Sequence, residues 1–208
     1  MNTNTDAISK YFVTLFGDDP KCELNFGNDI QCLVAIILSA QCTDKRVNTV
    51  TKTLFQKYKA VTDFADADQS TFESEIHSLG FYHSKTKNII AMANAVLQNH
   101  GGVIPIDLIA LTNLPGVGRK TASVFLAEFH KIPAIGVDTH VIRVSNRLGL
   151  TTHSDPAKIE LDLKNIVPEK DWCRFSLSMV LFGRYNCTAK NPKCEKCGLK
   201  NICVFCRI

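Results

Sequence analysis

A lysine and an aspartate in this chain could perform covalent chemistry. Lys120 directly follows the turn Leu114-Pro115-Gly116-Val117-Gly118-Arg119, and Asp138 stands in Val137-Asp138-Thr139-His140. An amine attacks in its uncharged form, and the positive end of a helix dipole disfavours the charged form in the first helical turn. A carboxylate can relay a proton from such an amine, or stabilise positive charge on a sugar ring. The alternatives are a lysine that is only solvated or binds phosphate, and an aspartate that only caps a helix.

The glycine turn before Lys120 has the composition of an anion site. Pro115 fixes the start of the turn, while Gly116 and Gly118 are expected to permit positive φ and a close approach of the backbone to a partner. The N–H groups that follow lead into a helix N-terminus, which favours negative charge. A phosphate bound there would position nucleic acid without reading its sequence. A tight helix–helix turn without a ligand is the alternative.

Four cysteines near the C-terminus have the spacing of a metal site. They form the pattern Cys187-x6-Cys194-x2-Cys197-x5-Cys203 within a chain of nine cysteines, an odd number that argues against a disulfide framework. Four thiolates suit tetrahedral zinc or an iron–sulfur cluster, and the spacing alone does not separate the two. Cys206 falls outside the pattern, so we expect a free thiol there, with a ligand swap with Cys203 as the alternative.

The elements that must position these groups are predicted to be helices almost throughout, so the expected fold is all-α. The glycine turn joins a short helix that begins at Asp107 to a helix over Lys120–His130, and Asp138 is placed to cap a helix over Thr139–Leu148. Ser70-Thr71-Phe72-Glu73 fits a capping box at the start of another helix.

Composition limits the class of protein. The chain has 208 residues, 45% of them hydrophobic and 21% charged, as in soluble globular proteins. The longest apolar run, Cys32–Leu38, is far shorter than the roughly 20 residues of a membrane span. The first residues show no signal peptide, so a cytoplasmic protein is expected. A net charge of +4 is weak evidence for nucleic acid, although lysines cluster around the C-terminal cysteines.

Over nearly its whole length the sequence resembles the endonuclease III family of helix-hairpin-helix DNA glycosylases. The resemblance is strongest in Leu114–Ala122, in Val137–His140 with Arg143, and in the C-terminal cysteines. It implies that Lys120 attacks the sugar C1′, expels a damaged base and forms a Schiff base, with assistance from Asp138. β-Elimination then cuts the strand on the 3′ side of the abasic site. Oxidised pyrimidines are the substrate class that the resemblance implies.

The same resemblance assigns further residues. It implies that Gln41 fills the space left by the extruded base and that Phe81 wedges into the stack, the alternatives being a polar helix end and a local core residue. It implies a [4Fe–4S] cluster, rather than zinc, on Cys187, Cys194, Cys197 and Cys203. The remaining expected DNA contacts are Gly116, Gly118, Arg119, His140, Arg143, Lys190 and Lys193; His140 could instead only support its helix.

The architecture implied by the resemblance has two helical lobes. One is a six-helix lobe over residues 22–132 that carries the helix-hairpin-helix motif at about 107–130. The other combines residues 1–21 with 133–208 and includes the cluster loop, 187–203. The expected partner is double-stranded DNA with damaged bases or abasic sites, bound by a monomer. The alternatives are a monofunctional glycosylase, against which Lys120 argues, a non-catalytic DNA-binding module and an iron–sulfur electron carrier.

Overall fold

The computed structural model describes residues 3–207 and contains α-helices, short 3-10 helices and no strand within that range, which confirms the all-α prediction. The 3-10 helices are Glu169–Asp171, Cys194–Lys196 and Val204–Arg207. The α-helices are α1 (Thr3–Phe16), α2 (Asp29–Leu38), α3 (Asp44–Lys57), α4 (Val61–Ala65), α5 (Gln69–Ile76), α6 (Tyr82–His100), α7 (Leu108–Thr112), α8 (Arg119–Glu128), α9 (Thr139–Arg147), α10 (Pro156–Ile166) and α11 (Trp172–Tyr185).

The chain divides into two compact units. The first, here called the hairpin unit, is Cys22–His130. The second, the cluster unit, combines the N-terminal segment up to Lys21 with the chain from Lys131 onward.

The apolar run Cys32–Leu38 forms the buried centre of the hairpin unit. Every residue from Ile30 to Leu38 in α2 is buried, and the helix packs against α3, α6 and α8. A helix that is apolar on all sides is typical of such a central position. Asn28 caps α2 by accepting a hydrogen bond from the Gln31 N–H at 3.0 Å. None of the helices in the described part of the chain combines the length and the apolarity that a membrane crossing requires.

The predicted capping box at Ser70 is wrong. α5 begins at Gln69, and Asp68 caps it by accepting from the Thr71 N–H at 2.8 Å. The Ser70 and Thr71 hydroxyls donate to the same carboxylate at 2.7 Å, and these bonds lower the pKa of Asp68 to about 2. The Asp68 carboxylate, two residues earlier, is a stronger acceptor than the serine hydroxyl, so the helix starts two residues sooner than predicted.

The cluster unit is built around α11. Phe12 of α1 contacts Phe175 and Phe182 of α11, with ring centroids 5.5 and 5.3 Å apart. α9 packs against the same helix and against α10. This packing holds the N-terminus of α9, where Asp138 lies, and the loop that begins at Cys187 on one framework.

Candidate functional site

The turn between α7 and α8 requires glycine at Gly116. Its φ is +74°, and a Cβ there would lie 2.6 Å from Cβ of Asn88, which belongs to α6. Leu114 and Val117, on either side, are 4% exposed and anchor the turn in the core. The Val117 N–H donates to the Leu114 carbonyl at 3.1 Å. Gly116 therefore combines a left-handed backbone with a close approach to α6.

Gly118 does not adopt the positive φ that was predicted for it. Its φ is −82° and its ψ 170°, because it is the N-cap of α8 and an N-cap residue is extended. A Cβ at this position would meet nothing within 4 Å. Gly118 has no side chain to cap the helix, so the first N–H groups of α8 can donate to an anion.

Lys120 lies at this same helix N-terminus. It is the second residue of α8, and both Arg119 and Lys120 are exposed. The arrangement places a primary amine two residues after the open backbone of Gly118. If the N–H groups of α8 hold a DNA phosphate, the sugar next to that phosphate would lie close to the Lys120 amine.

Gln41 and Phe81 share an unusual conformation in the hairpin unit. Both are exposed, Phe81 by 64%, and both have left-handed backbone angles, with φ of 56° and 59°. Such angles cost non-glycine residues of order 1–3 kcal/mol and are concentrated at functional sites. The exposure of Phe81 excludes the alternative that it is a local core residue.

Asp138 caps α9 as predicted. Its Oδ1 accepts hydrogen bonds from the N–H groups of His140 and Val141, both at 2.8 Å, and the side chain is half-buried. Capping thus engages one of the two carboxylate oxygens and holds the group in a fixed orientation. The carboxylate can interact with positive charge through Oδ2.

His140 and Arg143 form a hydrogen-bond network with α11 and with residues 187–203, here called the cysteine loop. Nη2 of Arg143 donates to Nδ1 of His140 at 3.1 Å and to the Gly183 carbonyl at 2.7 Å, and Nε donates to the Cys187 carbonyl at 3.0 Å. An arginine only donates, so Nδ1 of His140 is the acceptor. Burial lowers the pKa of His140, the charges of Arg143 and Arg184 act in the same direction, and Asp138 opposes them.

The four predicted cysteines surround one cavity, with about 330 Å³ of empty space that includes its opening to solvent. Its lining is otherwise largely apolar, with Leu148, Phe182 and Phe205. In residues 3–207, no three Cys, His, Asp or Glu side chains are grouped so that they could hold a metal ion. The thiols are instead spread around the cavity wall. The cysteines lining the cavity are Cys187, Cys194, Cys197, Cys203 and also Cys206.

Cys206, which lies outside the sequence pattern, is therefore part of the same cavity. Burial raises the pKa of Cys206 to about 12, and the thiols of Cys194 and Cys203 add to the effect. Burial also raises the pKa of Cys197, and the neighbouring cysteines contribute. As thiolates, these cysteines would repel one another, and a bound cationic group would offset that repulsion. An iron–sulfur cluster, which binds cysteine thiolates, fits this donor set.

Sequence reasoning missed Arg147, which joins α9 to the cysteine loop. Its guanidinium donates to the carbonyls of Thr188 at 2.7 Å and Ala189 at 3.0 Å, and to Sγ of Cys187 at 3.4 Å. It also lies over the Phe205 ring, 4.2 Å from the centroid. The one sequence signal was its place one turn after Arg143 on the same helix face.

The predicted site residues are distributed over both units. Lys190 and Lys193 are exposed on the cysteine loop, where the Lys193 N–H donates to the Asn186 carbonyl at 2.9 Å. The hairpin unit contains Gln41, Phe81, Gly116, Gly118, Arg119 and Lys120; the cluster unit contains Asp138, His140, Arg143, Lys190, Lys193 and the four cysteines.

Two family models match this chain. Residues 34–169 match the HhH-GPD superfamily base excision DNA repair protein, and residues 187–203 match the iron-sulfur binding domain of endonuclease III. The class defined by the helices, the glycine turn and the cysteine loop is thus an iron–sulfur protein of base excision DNA repair.

Curated relatives and solved structures narrow this class. The chain is 44% identical to Endonuclease III of Bacillus subtilis (strain 168) and 45% identical to that of Synechocystis sp. (strain ATCC 27184 / PCC 6803 / Kazusa), over 88% of this chain and 84% of each relative. Two solved structures, of a trapped Endonuclease III-DNA covalent intermediate and of a non-covalent Endonuclease III-DNA complex, each have a TM-score of 0.93 and 38% identity. Each match covers 100% of this chain and 98% of the other.

This chain belongs to the endonuclease III family. It is a base excision repair DNA glycosylase with lyase activity, and its cofactor is a [4Fe–4S] cluster. These findings confirm the resemblance, the enzyme class and the cofactor predicted from the sequence.

Proposed function

We propose that Lys120 is the nucleophile of this glycosylase and that its substrates are oxidised pyrimidines in double-stranded DNA. The observation that supports this most is the position of Lys120: an exposed amine in the first turn of α8, beside the open backbone of Gly118. A relative with the same fold has been trapped as a covalent intermediate with DNA, which favours a covalent route.

The proposed reaction begins with Nζ of Lys120 attacking C1′ of the damaged nucleotide. The bond between C1′ and the base breaks, its electron pair leaves with the base, and the base takes up a proton. Nζ then gives up a proton. The bond between C1′ and the ring oxygen O4′ breaks, and O4′ takes up a proton, which opens the sugar ring and leaves a protonated Schiff base between Nζ and C1′. Loss of a proton from C2′ then breaks the bond between C3′ and its phosphate oxygen. Water finally hydrolyses the Schiff base and frees Lys120.

Asp138 assists the attack in this proposal. Two N–H groups fix its carboxylate, so it needs no reorganisation when positive charge develops on the sugar. Oδ2 is not engaged in capping and can accept the proton that Lys120 must lose.

Gln41 and Phe81 act on the duplex rather than on the reacting bonds. C1′ cannot be reached while the nucleotide is stacked, so the nucleotide must be extruded. We propose that Phe81 wedges between bases and that the Gln41 amide fills the vacated space and contacts the orphan base. Their exposure and their strained backbone angles support these roles.

The remaining proposed contacts involve phosphates. The N–H group of Gly116 and those of the first turn of α8, after Gly118, hold one phosphate, with Arg119 beside them. His140 and Arg143 have internal partners that orient them, and their proposed phosphate contacts come in addition. The [4Fe–4S] cluster, when bound to Cys187, Cys194, Cys197 and Cys203, supplies no bond chemistry on DNA but folds the loop that holds Lys190 and Lys193. We propose a cytoplasmic monomer as the working form.

A duplex with a single thymine glycol tests this proposal. The holoenzyme is expected to cut the damaged strand on the 3′ side of the lesion without alkali, and to leave a matched thymine duplex intact. A strand that breaks only after alkali treatment would indicate a monofunctional glycosylase. Salt-sensitive binding without base release or cleavage would indicate a non-catalytic DNA-binding module.

A further inference from the structure

Lys85 is a buried lysine that the proposed chemistry does not use. It lies in the first turn of α6 and is 5% exposed. Its Nζ donates to the Leu38 carbonyl at 2.8 Å and to Sγ of Cys42 at 3.4 Å. Burying an ammonium group is costly unless it is hydrogen-bonded, so a buried lysine with these two acceptors has a specific structural role.

The acceptor carbonyl belongs to the end of a helix. Leu38 is the last residue of α2, and the C-terminal end of a helix carries negative partial charge that favours a cation. The turn that follows, residues 39–42, is closed by a bond from the Cys42 N–H to the Ser39 carbonyl at 3.0 Å. Lys85 thus contacts Leu38, three residues before Gln41, and Cys42, the residue directly after it.

The backbone of Lys85 contacts the second strained residue. Its N–H donates to the Phe81 carbonyl at 3.0 Å, which is the first bond of α6. Among the described non-glycine residues, positive φ occurs at Gln41, Phe81 and Lys131. The side chain of Lys85 thus bonds to Cys42, the neighbour of Gln41, and its backbone bonds to Phe81 itself.

We infer that Lys85 is a positioning residue that fixes Gln41 and Phe81 relative to each other, so that both enter the duplex at the same base step. The inference rests on the roles proposed above for those two residues. Left-handed angles at non-glycine residues persist only where the surroundings hold them. Without the ammonium group, the turn at Gln41 loses its hydrogen bond to α6 and relaxes. Gln41 and Phe81 are then no longer held in a fixed position relative to each other.

Lys85→Met tests the inference, because methionine keeps an unbranched apolar side chain but cannot donate. Lys87→Met is the matched control, since it removes the same charge from an exposed position on the same helix. The dissociation constant of each variant is measured for a duplex with a tetrahydrofuran abasic-site analogue and for the intact duplex. Fluorescence of 2-aminopurine opposite the analogue reports whether the orphan base leaves the stack.

The preference of Lys85→Met for the abasic duplex is expected to fall about tenfold to a hundredfold, as for a lost hydrogen bond to a charged group. The rise in 2-aminopurine fluorescence on binding is expected to be lost as well. Lys87→Met is expected to weaken binding to both duplexes by the same factor and to keep the rise in fluorescence. Lys85→Gln, which retains a shorter donor, is expected to lie between the wild type and Lys85→Met, and serves if the methionine variant fails to fold. Unchanged preference in both Lys85 variants contradicts the inference.

The double variant Gln41→Ala/Phe81→Ala separates this inference from the proposed function. If it keeps the wild-type preference for the abasic duplex, the proposed roles of Gln41 and Phe81 are wrong. If it loses the preference while Lys85→Met keeps it, only the inference about Lys85 is wrong. Adding Lys85→Met to the double variant is expected to lower the preference no further, because Lys85 acts through these two residues.

Discussion

Substitution by alanine should affect different properties at Gly116 and at Gly118, although only one residue separates them. At Gly116 it should lower stability, and at Gly118 it should weaken DNA binding. Gly116→Ala forces an L side chain into a φ of +74° and places its Cβ 2.6 Å from Cβ of Asn88. Asn88 lies within α6, so its Cβ moves only with the helix backbone. Gly118→Ala meets no atom within 4 Å and has a φ of −82°, which alanine adopts freely.

The size of each effect follows from these geometries. A left-handed conformation costs alanine about 1–2 kcal/mol, and overpacking against a helix costs about 1–3 kcal/mol, so Gly116→Ala should lower the free energy of unfolding by about 2–5 kcal/mol. Gly118→Ala should change it by no more than about 1 kcal/mol, since a less favourable N-cap offsets the lower entropy of the unfolded chain. Its methyl group should instead obstruct the approach of a DNA phosphate to α8.

Urea unfolding and DNA binding, measured on both holoenzyme variants, separate the two effects. Gly116→Ala should unfold at a lower urea concentration than the wild type. Gly118→Ala should unfold like the wild type and bind intact and lesion-bearing duplexes more weakly by the same factor, because a phosphate contact reads no base. A stable Gly116→Ala, or a Gly118→Ala variant with wild-type DNA affinity, would refute the account of this turn.

Three further predictions concern the cluster unit. Asp138→Asn should still cap α9 and leave the urea midpoint nearly unchanged, but slow single-turnover release of thymine glycol roughly 10²-fold, because the fixed negative charge is lost; a normal rate contradicts this role. The pKa of His140 in the folded protein lies below its unfolded value of about 6.5, so the unfolded chain binds more protons. The wild type should therefore lose stability relative to His140→Asn as the pH falls from about 6.5 toward the lowered pKa. Parallel curves of stability against pH for the two proteins would show that His140 is not responsible. The double variant Lys190→Ala/Lys193→Ala should reduce the slope of log K against log salt by about 1.8 if each lysine neutralises one phosphate; an unchanged slope would place both lysines away from DNA.

Local sequence signals predicted much of the fold and part of the site. Asp138 and Asp107 cap the helices that were expected to follow them, since a carboxylate before a helical segment satisfies its first N–H groups wherever the helix packs. The cysteine spacing indicated a metal site, and the four thiols line one cavity because they are close together in the chain. Positive φ was expected at Gly116 because glycine adopts it without steric cost, and the observed φ is +74°.

Contacts between distant segments could not be predicted in this way. Arg147 bonds to carbonyls 41 and 42 residues away, and Lys85 to a carbonyl 47 residues away, and no local pattern indicates either pair. The extended backbone of Gly118 depends on where α8 begins, a boundary that sequence places only within a few residues. Cys206 lines the cavity from the 3-10 helix Val204–Arg207 that follows Cys203, a contact that its spacing did not indicate.

The role of Lys120 can be measured directly by borohydride reduction during the reaction. Incubation of the enzyme with a thymine glycol duplex and borohydride should give a covalent protein–DNA adduct, and peptide mapping should place the attachment at Lys120. Lys120→Gln should bind the duplex with nearly the wild-type affinity and give no adduct. An adduct mapped to another residue, or an undiminished adduct with Lys120→Gln, would contradict the central claim.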